Sequence, residues 1–344
     1  MDTTKRLSYI SWIQFIGVLC VIFGHSMNDV AIPEFFRQVK YWIYTFHMPL
    51  FFMVSAYLFS YNGGFAHKGG YRGTFSGKFS RLIIPYIIWN LLFIYPKVAM
   101  ADYTNDQVEL TPQYFGMLML YPRNNILGHT WFLFALFEMF VLAIIMEKIK
   151  QNKLFWIPVA CVLAVVNCLG GVIAEERFLA ISDLMKNGIF FWLGLLLGTM
   201  DVTELKSIST NRQLMQWTLG IILGCTIIWS ISNDGIKSSQ PANMLLLGIA
   251  IILFLGMLQM KFNICHPFIE FVSRNSFAIY IMHWPILMVV RFVVYQKMHI
   301  DPIITMCLMF FGGIVIASFF LGLLTNFSKK SSIIKSVSKV VFGM

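Results

Sequence analysis

Seven histidines stand among 344 residues, and three of them, His25, His47 and His283, fall inside apolar stretches where an ionisable side chain is costly to place. His25 sits at the end of the first stretch, in Phe23-Gly24-His25-Ser26, where an imidazole can act as a general base near neutral pH. A histidine hydrogen-bonded at a helix end is the plainer alternative. Gln14 lies eleven residues earlier. At 100° per residue the two side chains share a helix face to within about 20° and stand ~16 Å apart along the axis. They can line one cavity, although a buried glutamine equally serves as a hydrogen-bonding link between helices. The run Phe46-His47-Met48-Pro49-Leu50-Phe51-Phe52-Met53-Val54-Ser55-Ala56-Tyr57-Leu58-Phe59 sets a histidine beside a kinking proline. A basic Gly-rich loop follows, leading to Lys78-Phe79-Ser80-Arg81-Leu82-Ile83-Ile84-Pro85-Tyr86, which on composition alone is a topological anchor. Gly128-His129-Thr130-Trp131-Phe132-Leu133 and Ser276-Phe277-Ala278-Ile279-Tyr280-Ile281-Met282-His283-Trp284-Pro285 add aromatic residues that would ordinarily anchor a membrane interface. A histidine seven residues into an apolar stretch is harder to read as an anchor.

The elements that must hold these residues are set by composition. Hydrophobic residues make up 58%, charged residues only 12%, and mean hydropathy is +0.72. A soluble domain carries about 25% charged residues, so a soluble enzyme is excluded. The apolar residues come in blocks of roughly 17 to 25, long enough to cross a bilayer as helices. Blocks such as Leu245 to Leu258 are apolar on every face, which excludes an alternating β-barrel strand. The chain therefore reads as an all-α integral membrane protein with about ten spans: 9–27, 41–59, 82–100, 131–146, 154–173, 187–200, 214–231, 242–260, 276–295 and 303–325, the sixth short unless it begins near Phe178.

Ten spans put both termini on one side, and 17 of the 26 basic residues, from Lys5 and Arg6 to Lys335 and Lys339, fall on that side. The positive-inside rule makes it cytoplasmic. The net charge of +10 thus records topology and does not suggest nucleic acid. The longest loop, with Asp102, Asp106 and Glu109, would face outward. Six cysteines without a Cys-x-x-Cys pair read as small core residues, and no metal site is expected. The first block is long and has no small-x-small cleavage site, so no cleavable signal is expected. The tail 327–344 spaces lysines among apolar residues as an amphipathic helix resting on anionic lipid would.

In order along residues 6–326, the strings resemble the acyltransferase-3 family of bacterial membrane proteins, which O-acylate extracytoplasmic glycans. They are the histidine closing the first span, F-H-M-P-L-F-F-x-x-S-x-x-L, R-L-x-x-P-Y at the third, H-x-W-F-L at the fourth and Y-x-x-H-W-P late in the chain. The chain departs from the family at Gln14, where Arg or Lys is usual, at Lys78 in the family's R-x-x-R, and at Ala56 in place of glycine. Glutamine brings no charge to its site, and Lys78 keeps charge without a bidentate fork.

The resemblance implies a bacterial inner-membrane O-acetyltransferase without a fused esterase-like domain. It would use cytoplasmic acetyl-CoA as co-substrate, with no bound cofactor, and acetylate an extracytoplasmic glycan or lipid-linked sugar. In that reading His25 takes the hydroxyl proton, Lys78 and Arg81 hold the CoA phosphates, and Gln14, His47, Trp131 and His283 position substrate or line its path. No Gly-x-Ser-x-Gly elbow nominates a serine nucleophile. His25 and Asp29 are four apart, one short of the H-x-x-x-x-D motif of soluble glycerolipid acyltransferases, but at that spacing Asp29 could orient His25 if the helix continues. An exporter of polysaccharide or lipid-linked sugar is the alternative function.

Overall fold

A computed structural model of the chain describes residues 8–66, 69–99, 111–173, 178–231, 241–262 and 266–342. Lys5, Arg6, Lys68, Asp102, Asp106, Glu109, Arg177, Lys237 and Cys265 lie outside them. Among the described residues every regular element is helical, as hydrocarbon demands of backbone that must satisfy its own hydrogen bonds. The helices are α1 (Ser8–Ser26), α2 (Glu34–Tyr44), α3 (His47–Tyr61), α4 (Gly70–Lys78), α5 (Ile84–Leu92), α6 (Ile94–Ala99), α7 (Pro112–Leu120), α8 (Trp131–Lys150), α9 (Trp156–Ile173), α10 (Ile181–Leu197), α11 (Val202–Thr210), α12 (Arg212–Ile231), α13 (Pro241–Phe262), α14 (Pro267–Arg274), α15 (Ser276–Val290), α16 (Pro302–Ser328) and α17 (Ser332–Phe342). Eight helical segments of the described chain are long and apolar enough to cross a membrane, and Ile10–Ser26 is a shorter apolar one. α8 covers the expected fourth span. The sixth does begin at Phe178, through a turn that runs into α10.

Three local features differ from the sequence reading. The second span is broken at Thr45 and Phe46, whose amides close tight turns onto the Trp42 and Ile43 carbonyls at 3.2 Å each. Pro49 does not kink it: as the third residue of α3 it falls in the first turn, where amide hydrogens have no helical acceptor to lose. The Gly-rich basic segment is helical, not a loop. It starts from left-handed Gly69 and Gly70 and passes through a π-helical segment, Phe79–Ile83, into α5. Continuous helix keeps the backbone bonded where the chain enters apolar surroundings. The tail forms α17, which docks one face on its own unit: Trp89 Nε1 donates to the Val341 carbonyl at 2.8 Å, and Phe342 packs on Trp89 and Phe320. Ile333, Val337 and Val340 stay exposed, an apolar stripe of the kind an interfacial helix offers lipid.

The fold divides into two compact units, Met1–Gly64 with Met146–Gly171 and Lys186–Ser276, and Phe65–Ile145 with Val172–Met185 and Phe277–Met344. In the first, α1 packs on α3, α13 and α14. Small residues bring α10 close to α3: a Cβ on Gly194 would collide with the Met53 carbonyl, and one on Gly198 would lie 2.6 Å from the Tyr57 carbonyl. Gly198→Leu is therefore expected to destabilise this unit by roughly 1–3 kcal/mol, by overpacking. Its thermal midpoint in detergent should fall, whereas Gly220→Leu, where a Cβ meets nothing within 4 Å, should leave it unchanged. In the second unit α5, α16 and α17 pack together.

Candidate functional site

In the first unit, α1 ends at Ser26, one residue past His25, and the Asn28 amide turns back onto the His25 carbonyl at 3.1 Å. Asp29 follows in the left-handed region at φ 55° and is exposed, so the helix does not continue to give it the orienting position the spacing allowed. Asn28 takes that position. Its Nδ2 lies 3.1 Å from Nδ1 of the half-buried His25, and its Oδ1 accepts a hydrogen bond from Lys40 Nζ, whose charge also interacts with Asp29. The Tyr44 ring gathers the rest, 6.3 Å from His25, 4.7 Å from His47 and 5.6 Å from the Lys40 ammonium. Gly24 makes this possible, since a Cβ there would stand 2.5 Å from the Tyr44 ring. Buried His47 turns Nδ1 onto the Ile43 carbonyl at 3.0 Å. Gln14 accepts a hydrogen bond from Ser273 Oγ at 2.7 Å, tying α1 to α14.

The second unit holds another polar cluster. Pro285 removes the amide that would have reached the Ile281 carbonyl, and His129 Nε2 faces that carbonyl at 3.4 Å. The opposite nitrogen, Nδ1, is buried with no hydrogen-bond partner among the described residues. Burial above all, and then His283 beside it, holds the His129 imidazole well below its usual range, so it is neutral. The His129 and His283 ring centres are 5.2 Å apart, Trp284 stacks on His129 at 5.8 Å, and Tyr280 donates its hydroxyl to the His129 carbonyl. His283 places Nδ1 2.5 Å from the Tyr280 carbonyl.

The segment carrying His129 and Trp131 is fixed from α5. Asn90 bonds the Leu127 amide at 2.8 Å and Thr130 Oγ1 at 3.0 Å, and Asn125 donates to the Tyr86 hydroxyl at 2.6 Å. Arg123 grips Asp183 with two hydrogen bonds and lies 4.0 Å over the Trp131 ring. Lys78 sits 3.5 Å over the Phe140 ring, and Arg81, exposed three residues on, acts on it electrostatically.

Thus the first unit gathers His25 and His47 around Tyr44 and holds Gln14 apart, on α1 but bonded to Ser273 of α14, while Trp131, His283, Lys78 and Arg81 all belong to the second. Asn28, Lys40, Tyr44, Arg123 and Asp183 were not singled out by the motifs, and His129, the histidine of H-x-W-F-L, was given no role of its own. A family model described as an acyltransferase domain matches residues 7–323. No curated protein and no solved structure matches the chain.

Proposed function

The chain belongs to the acyltransferase-3 family of membrane acyltransferases, and from that premise we propose that it moves an acetyl group from cytoplasmic acetyl-CoA to a hydroxyl of an extracytoplasmic glycan or lipid-linked sugar, in the bacterial inner membrane. The observation that carries the reading is His25, half-buried in the last turn of α1 with its Nδ1 held by Asn28. The acceptor oxygen attacks the thioester carbonyl and its proton passes to His25. The C–S bond breaks, the sulfur leaves and takes up a proton, and the products are the O-acetyl ester and free CoA. Trp131 and His283 line the path of substrate within the second unit, and Gln14, bonded to Ser273, holds α1 in place.

Lys78 and Arg81 hold the CoA phosphates on the cytoplasmic side. Arg81→Ala is expected to raise KM for acetyl-CoA roughly tenfold, the loss of about one charge-assisted contact, with kcat little changed. Steady-state kinetics at saturating acceptor measures it. The reading as a whole is tested by mass spectrometry of cell-surface glycans with and without the gene. A mass difference of one acetyl supports it, whereas loss of the whole glycan from the surface with its acetylation intact would make the protein an exporter.

A further inference from the structure

Lys40, Asn28 and His25 form a hydrogen-bonded series in which each atom is dictated by its neighbour. An ammonium has only donors, so the Asn28 atom it meets must be the amide oxygen. The Asn28 atom turned to His25 is then the NH2 group, which only donates. Nδ1 of His25 must therefore offer a lone pair, and a neutral imidazole so engaged carries its proton on Nε2. A base acting through Nε2 needs the other tautomer, with Nδ1–H given to an acceptor behind it, as an aspartate provides in hydrolase triads.

Asn28 can supply that acceptor only if its amide turns over, which would set its NH2 against the Lys40 ammonium. An anion is at hand for the lysine in place of the amide oxygen, since the Asp29 charge already acts on Lys40. Asp29 is exposed on the left-handed turn just after Asn28.

We propose that Lys40 and Asn28 are a tautomer latch on His25. With Lys40 on Asn28, Nε2 keeps its proton and cannot accept another. When the ammonium moves to Asp29 the amide turns over, Asn28 Oδ1 accepts Nδ1–H, and Nε2 gains the lone pair that takes the acceptor's hydroxyl proton. Asn28 and Lys40 are positioning residues that act through His25, and the latch rests on the reading of His25 as base.

The test combines three variants with one spectroscopic readout. Asn28→Asp offers Nδ1 only acceptors and opens the latch permanently; Lys40→Met removes the cation that closes it; Asn28→Leu leaves Nδ1 without a partner. Transfer from acetyl-CoA is expected to rise in kcat by roughly twofold or more in the first two, as the competent population grows, and to fall about tenfold in the third. KM for acetyl-CoA should not move. Solid-state NMR of 15N-histidine protein near pH 8, with the His25 signals assigned by difference against His25→Ala, should show the Nε2–H form in the parent chain and Nδ1–H in Asn28→Asp and Lys40→Met. A parent chain already in the Nδ1–H form, or Asp, Met and Leu variants that lose kcat alike with the tautomer unchanged, would overturn the latch. Failure of the underlying reading has a different mark, activity retained in His25→Ala whatever the tautomer.

Discussion

Replacing His25 by alanine is expected to cut acyl transfer by roughly 10²–10⁴-fold, the range a positioned general base contributes, while the protein inserts and keeps its thermal midpoint. The side chain is half-buried at a helix end, beside Asn28 and the Tyr44 ring, and not in the closely packed core, so the fold loses little. KM for acetyl-CoA should stay near that of the parent, because His25 is assigned the hydroxyl proton and not the donor's phosphates. His25→Gln should be equally inactive: glutamine can bond Asn28 but takes no proton. O-Acetylation of the glycan measured in cells carrying each variant, beside the amount of inserted protein, decides it. Either variant acetylating at the parent level would end the assignment.

Asp183→Asn is expected to produce the largest loss of stability among single changes in the second unit. The Asp183 side chain is 2% exposed and accepts both hydrogen bonds from Arg123, itself 36% exposed. Neutralising the carboxylate leaves a guanidinium facing an amide, and breaking a buried pair costs about 3–5 kcal/mol, reduced here toward about 2–4 by the exposure of the arginine. The damage should reach the Trp131 segment, since Arg123 lies over that ring. Arg123→Leu and Asp183→Leu should each destabilise similarly, while the variant carrying both of these leucines should lose markedly less than their sum, because an apolar pair leaves no charge uncompensated. Thermal unfolding of the four proteins in one detergent gives the coupling directly; strictly additive losses would show that the pair is not coupled.

Much of the architecture was legible in the chain because hydropathy reports the solvent a helix must meet. The long apolar helices, and the start of the sixth at Phe178, follow from block length alone. Breaks were harder to read. Pro49 looked like the kink in the second span, but a proline in a first turn costs no hydrogen bond, and the chain breaks at Thr45 and Phe46 instead. Glycines around Lys78 suggested a loop, yet an apolar setting rewards unbroken helix more than glycine weakens it.

The site shows the same division. His25, His47 and His283 stood out as ionisable residues in apolar stretches, and Glu138, within the fourth span and with Oε2 buried without a hydrogen-bond partner among the described residues, met the same criterion without being picked. Asn28 lay three residues past His25, but the turn that makes it and not Asp29 the neighbour depends on where α1 ends. Arg123 with Asp183, and Asn90 with Thr130, are 60 and 40 residues apart, pairings that leave no periodic trace in a single sequence.

The most direct measurement uses purified protein reconstituted in lipid with acetyl-CoA labelled in the acetyl group and a lipid-linked glycan as acceptor, following label in the glycan and free thiol together. The expected result is acceptor-dependent release of CoA in equal amount to the acetyl ester formed, lost in His25→Ala. Glycan that crosses the bilayer unlabelled while acetyl-CoA is not consumed would contradict it.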